Sequence, residues 1–260
     1  MNSSPGARDR NSTATAQARQ AQARGLGRGW LGRSLVGFLT VLIGCNRGTP
    51  GPARAPASVT RPPAGTVAAP TVVFLGTSLT AGLGLDLEEA YPALIQRKID
   101  SAGFRFRVVN AGVSGESSAG ALRRIDWVLR EPPALLVVET GANDGLRGQD
   151  PDSLRAHIQA LVDRTRQLAP GTRLVLAGMA ALPNLGAGYA GKFRAVYPDL
   201  ARKNRIPLIP FLLAGVAGVD SLNQADGIHP NPAGARILAD NVWRVLGPKL
   251  KDLDRGIDSQ

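Results

Sequence analysis

The chain has 260 residues, enough for one domain of ordinary size with extensions. Hydrophobic residues make up 43% and aromatics only 5%, so any core must rest on Leu, Val, Ile and Ala. A single Cys excludes an intrachain disulfide and a Cys-based zinc cluster, and two His leave no His-rich metal site.

The +11 charge is unevenly spread: residues 1–69 carry nine Arg and one Asp, which is +8 of it. The basic excess therefore lies in a tail and linker rather than on a folded face. No helix-turn-helix, zinc-finger or RNA-binding aromatic signature accompanies it, so nucleic acid is not an expected partner.

Residues 1–24 are polar and aperiodic, and read as disordered. Arg24, Arg28 and Arg33 then flank a basic stretch before the apolar run SLVGFLTVLIG, Ser34 to Gly44. This run is too short for a permanent bilayer span and fits the apolar core of a secretory signal. It ends in Leu42-Ile43-Gly44-Cys45, which resembles the bacterial lipobox, in which the Cys is lipidated and becomes the mature N-terminus. A diacylated Cys45 would anchor the protein stably to a membrane. The expected location is therefore outside the cytoplasm, on a membrane facing the periplasm or the cell exterior. Residues 46–69, rich in Pro, Ala, Gly and Arg, read as a semi-rigid linker. The boundaries expected are 1–45 for tail and signal, 46–69 for linker, 70–250 for a folded domain and 251–260 for a polar tail.

From residue 70 strands and helices alternate. Thr71–Leu75 is an apolar, β-branched run that predicts a buried strand. Tyr91–Ala102 predicts an amphipathic helix closed by Gly103. Phe104–Asn110 follows as a strand and Ser117–Arg130 as a helix stopped by Pro132 and Pro133. Ala134–Glu139 is the third strand, continuous in apolar character as parallel central strands are. Pro151–Leu168 is a helix, Arg173–Ala177 a strand, Phe193–Asn204 a helix, Pro207–Ile209 a short strand and Pro232–Leu246 a closing helix. Such alternation implies an α/β domain with a parallel sheet, whose sites lie beyond the carboxyl ends of the strands.

The residues at those ends are chemically suggestive. Strand one runs into Gly76-Thr77-Ser78-Leu79, strand two ends at Asn110-Ala111-Gly112, and strand three at Gly141-Ala142-Asn143-Asp144. Asp226-Gly227-Ile228-His229-Pro230 precedes the last helix. A three-residue spacing on a tight turn can set the Asp226 carboxylate against one imidazole nitrogen of His229, leaving the other to take a proton from a serine. The amides of Ser78 and Gly112 and the Asn143 side chain could converge on one oxyanion. Asp144 reads as a structural turn residue and His157, mid-helix, as a surface residue. The Gly-rich loop after strand one lacks the lysine of a P-loop and forms no clean dinucleotide fingerprint.

At these residues the chain resembles the SGNH (GDSL-like) hydrolases, named for Ser, Gly, Asn and His in four ordered blocks. The resemblance spans residues 71 to about 247 and extends through AYPALIQ, VVNAGVSGESSAG, GANDGLRG and DGIHPN. These stretches are similar to the branch that contains acyl-CoA thioesterase/lysophospholipase and arylesterase proteins. The resemblance implies a three-layer α/β/α, flavodoxin-like fold with five parallel strands. It also implies a serine hydrolase of carboxylic esters with Ser78 as nucleophile, Asp226 and His229 as its supporting pair, and Ser78, Gly112 and Asn143 as oxyanion donors. No metal or cofactor is expected. Leu146, Leu182, Pro183 and Tyr189 are candidates for an acyl slot serving lysophospholipid, short or medium acyl esters, aryl esters or thioesters. Polysaccharide O-deacetylation and non-catalytic lipid or ligand binding are the competing readings. One departure from the family's GDSL motif is Thr77, which stands where the motif has Asp.

Overall fold

The computed structural model describes residues 69–258. The signal, Cys45 and the linker up to residue 68 lie outside the described residues. Among those described, no helix is long and apolar enough to cross a membrane.

β1 (Thr71–Gly76) is buried along nearly its whole length, because TVVFL offers apolar side chains to both faces. α1 (Ser78–Ala81) follows at once, and α2 is Tyr91–Ser101. β2 (Arg107–Gly112) starts later than the sequence predicts. The reason is the cap of α2. Phe104 N–H donates to Ile99 O at 3.1 Å and Gly103 N–H to Asp100 O at 3.0 Å, with Gly103 at φ 72. This is a Schellman closure, and it takes Phe104 out of the sheet and sets its ring against Trp243.

α3 (Ser118–Val128) is capped by the Ser117 side chain. β3 (Leu135–Glu139) is wholly buried, and a short α4 (Ala142–Leu146) leaves its end. α5 (Pro151–Leu168) has Asp150 as its cap, accepting from Asp152 and Ser153 N–H groups. β4 is Arg173–Ala177. α6 spans Ala187–Asn204, well ahead of the predicted start at Phe193. Gly188 and Gly191 in its first turns, with Gly186 at its cap, hide it from propensity. Tertiary contacts supply the difference: Tyr189 stacks on Phe193, and its hydroxyl donates to Gln149 O at 2.7 Å. β5 is only Leu208–Ile209.

α7 opens under Asn231, whose Oδ1 accepts from Ala233 and Gly234 N–H groups. It runs from Pro232 to Asp258, so residues expected as a polar tail are helical. The apolar stripe of Leu238, Val242 and Leu246 continues through Leu250, which is fully buried, and Leu253, which packs on the core.

The five strands are all parallel, in the order β2-β1-β3-β4-β5. Right-handed crossovers then decide the layers. The chain steps from β1 outward to β2, then reverses across β1 to β3 and onward. α2 therefore lies on one face, where it packs with α7, while α3, α5 and α6 pack together on the other. This is the three-layer flavodoxin-like arrangement. The reversal lies between β1 and β3, and the crevice beyond their carboxyl ends is where such sheets place a site.

Candidate active site

Ser78 is the first residue of α1, directly after β1. Thr77 before it offers no side-chain cap to that helix. The cap comes from the neighbouring strand. Glu139, the last residue of β3, is fully buried and accepts from Thr77 N–H at 2.7 Å, from the Thr77 hydroxyl at 3.0 Å and from the Thr80 hydroxyl at 2.9 Å. The Tyr91 hydroxyl completes the cluster, 2.7 Å from Thr80 Oγ1. Burial raises the Glu139 carboxyl pKa above its ordinary value, against the pull of these hydrogen bonds. Burial, and then the nearby Glu139, push the Tyr91 phenol well up. Sequence reading treated Glu139 only as the end of a strand. A charged residue closing a wholly apolar run was the available signal.

The His229 loop meets Ser78 from the other side. His229 Nε2 lies 2.8 Å from Ser78 Oγ, and Nδ1 lies 2.7 Å from Asp226 Oδ2. Asp226 Oδ1 accepts from the N–H groups of Ile228 at 2.9 Å and His229 at 3.0 Å. The His229 amide foremost, then its ring and the Ile228 amide, hold Asp226 down to about 2. An ionised carboxylate only accepts, so Nδ1 carries the proton and Nε2 offers its lone pair to the serine hydroxyl. Gln224 fixes the two loops to each other: its Nε2 donates to Leu83 O at 2.7 Å and to Pro230 O at 3.0 Å.

Of the three expected oxyanion donors, Gly112 is misplaced. Its N–H donates to Asn110 Oδ1 at 3.0 Å, while Asn110 Nδ2 donates to Thr80 O at 2.8 Å. A Cβ on Gly112 would fall 2.2 Å from Ala81 N, so this glycine is needed to let β2 approach α1. Gly112 does not line the crevice; Gly115 does, beside Ser78, Asn143 and His229. Gly115 sits at φ 78, its carbonyl accepting from Arg147 Nη2 at 2.9 Å. The stretch VVNAGVSGESS contains both glycines, and only the turn after β2 decides which faces the serine. Asn143 Nδ2 donates one hydrogen to Glu116 O at 3.0 Å. The second hydrogen of that amide remains for another acceptor.

His157 also differs from expectation, while Asp144 has the structural role expected of it, though it joins two segments rather than closing a turn. The buried Ser118 donates N–H and Oγ–H to the Asp144 carboxylate at 2.8 and 2.5 Å, and Ser118 Oγ lies 2.9 Å from His157 Nδ1. This second Ser/His/Asp group is fully enclosed at its serine, and its hydroxyl proton points to Asp rather than His. It ties the start of α3, which follows Gly115, to α4, which carries Asn143. His157 is thus half-buried and engaged, not a free surface residue.

The crevice is a cavity of about 550 Å³. Leu79, Leu83, Leu146, Met179, Leu182, Phe211, Leu213 and Ile228 give it an apolar wall around Ser78 and His229. Leu146 and Leu182, two of the acyl-slot candidates, are among these lining residues. Tyr189 is not, because its ring lies on Phe193 and its hydroxyl on Gln149 O. Pro183 opens a 3₁₀ turn, Pro183–Leu185, and its side chain lies outside what is described. Among the described residues no group of His, Cys, Asp and Glu is arranged to hold a metal ion.

The profile of the GDSL-like lipase/acylhydrolase family matches residues 74–237. Esterase TesA of Pseudomonas aeruginosa is 42% identical over 184 residues, covering 70% of this chain and 90% of that protein. Thioesterase 1/protease 1/lysophospholipase L1 of Escherichia coli K12 is 35% identical over 182 residues, with 70% and 85% covered. A crystal structure of TesA superposes with a TM-score of 0.66 at 41% identity, covering 68% of this chain and 98% of that one.

Proposed function

This chain belongs to the GDSL-like lipase/acylhydrolase family, and from that premise we propose that it hydrolyses carboxylic esters of apolar acyl groups through Ser78. One observation carries the reading: the hydrogen-bonded series Ser78–His229–Asp226 stands on the floor of an apolar cavity. Ser78 attacks the acyl carbonyl as His229 Nε2 takes its proton. Asp226, ionised throughout, keeps the ring in the required tautomer and stabilises the imidazolium. The oxyanion is held by the amides of Ser78 and Gly115 and by the unengaged hydrogen of the Asn143 amide. His229 returns its proton to the departing alcohol or thiol, and water releases the acid from Ser78.

The wall of Leu, Met and Phe favours an acyl chain over a sugar, which supports ester or lysophospholipid hydrolysis ahead of polysaccharide deacetylation. Thioesters fit the same chemistry. Export and membrane anchoring through a diacyl group on Cys45 form the other part of the proposal, supported by the apolar run Ser34 to Gly44 that ends at that residue. The test is a hydrolysis panel on the full chain: nitrophenyl esters of graded length, a lysophospholipid, an acyl thioester and an acetylated sugar. Turnover that rises with acyl length and vanishes in Ser78→Ala is expected. Activity on the acetylated sugar alone would reject the acyl-ester reading, and equal activity in Ser78→Ala would reject the nucleophile.

A further inference from the structure

A second large concave feature lies at the opposite end of the sheet from the crevice. It is a cleft of about 650 Å³ at the starts of β3 and β4, under the ends of α5 and α6 and beside the last turns of α7. Its walls hold Arg166, Arg173, Arg205 and Lys249 against one carboxylate, Asp252. Two features separate it from an ordinary solvated surface.

The first is its unbalanced charge. Elsewhere in the domain arginines find carboxylates: Arg124 pairs with Glu116, Arg164 with Asp126, and Arg155 and Arg202 with Asp199. Among the described residues no ion pair involves Arg173, Arg205 or Lys249. The Arg166 guanidinium is held by neutral oxygens, Asn204 Oδ1 at 3.1 Å and Asn204 O at 2.6 Å, so it is oriented but not neutralised. Helix ends account for part of the excess. The carboxyl ends of α5 and α6 each present about half a negative charge, roughly one together. Four cations and one carboxylate leave about twice that uncompensated.

The second feature is Arg205. It closes α6 at φ 54, ψ 42, in the left-handed region where Gly is the usual choice. Every other described residue with positive φ is a glycine. A side chain with a Cβ is disfavoured there by roughly 1–2 kcal/mol. The chain tolerates that strain at a position that adds a fourth cation to the cleft.

We propose that this cleft binds a phosphate-type anion, as a site separate from the Ser78 crevice. Guanidinium groups match phosphate oxygens with charge-assisted hydrogen bonds, and Arg166, held by two of its five N–H groups on Asn204, keeps the others for such a contact. A phospholipid headgroup and free phosphate share this chemistry.

The test uses the full chain and Arg173→Glu/Lys249→Glu, with Arg173→Gln/Lys249→Gln as a milder second variant. Inorganic phosphate is titrated by calorimetry. Separately, binding is measured to vesicles of phosphatidylcholine with and without one quarter phosphatidylglycerol. A tenfold or greater loss of phosphate affinity in the variants, with hydrolysis of a soluble nitrophenyl ester and the melting temperature unchanged, supports the site with a free anion as ligand. The same loss confined to the anionic vesicles supports it with a lipid headgroup. Wild type and both variants binding equally in both arms, or not at all, overturns it.

Discussion

Thr77→Asp would place the family's motif residue into this particular loop, and the structure predicts a cost that depends on pH. Thr77 is 1% exposed and its hydroxyl lies 3.0 Å from both oxygens of Glu139, itself 0% exposed. An Asp at 77 would set two carboxyl groups in contact in a site closed to water. Two such groups cannot both ionise, so the pair retains one proton and its upper pKa rises far above the carboxylate range. The unfolded chain gives up that proton near pH 4. A folded-state pKa raised above the unfolded value gives stability that is complete below about pH 4 and is lost as pH rises. The slope is about 1.4 kcal/mol per pH unit. At pH 7 the loss is about 4 kcal/mol, a large part of the 5–15 kcal/mol typical of a domain. Urea unfolding of wild type and variant at pH 5 and pH 7 is the assay. The gap between them should widen over those two units by about 2.7 kcal/mol where wild-type Glu139 is a carboxylate throughout, and by less to the extent that its own raised pKa keeps a proton on it. A variant whose own stability does not fall between pH 5 and pH 7 relative to Thr77→Asp/Glu139→Gln, which lacks the second carboxyl, would refute the argument, since it would mean that residue 77 does not share a proton with Glu139.

Ser78→Ala and His229→Ala should each lower turnover on a nitrophenyl ester by on the order of 10³-fold or more, with the double variant little worse, because the two act as one unit. Asp226 is held at about 2 in the folded state, so the stability it lends is present above its unfolded value near 4 and is lost as pH falls from there to about 2; the melting-temperature gap between wild type and Asp226→Asn should close over that window. Gly112→Ala should lower the melting temperature and turnover together, since its Cβ would meet the Ala81 backbone at 2.2 Å. Gly115→Ala meets no such wall and is strained only by φ 78, so it should melt closer to wild type while losing turnover. Cys45→Ser should move the protein from the membrane fraction to the soluble one, and a mutant that stays membrane-bound would reject the anchor.

Much of this molecule was written locally. Apolar runs of four or five residues, each followed by an amphipathic stretch with its own cap or stop, predict the alternation of parallel strands and helices. Burial of both faces of β1 and β3 leaves no other composition for them. The Asp226–His229 pairing was equally legible, because a three-residue turn with Gly227 at φ 69 fixes it within one segment. Contacts between segments were not. Whether the glycine that ends β2 or the one in the turn after it faces the serine depends on the close approach of β2 to α1, some thirty residues away in sequence. The role of Glu139 depends on β1 and β3 being neighbours, which the chain reaches only by stepping out to β2 and back. Tyr189 looked like a wall of the acyl slot until α6 began early and turned its ring onto Phe193. Sequence therefore determined the elements and the chemistry they carry, since propensity, capping and periodicity act over a few residues. Only the tertiary structure decided which amide and which carboxylate serve Ser78, because those choices are made by side chains that meet across strands.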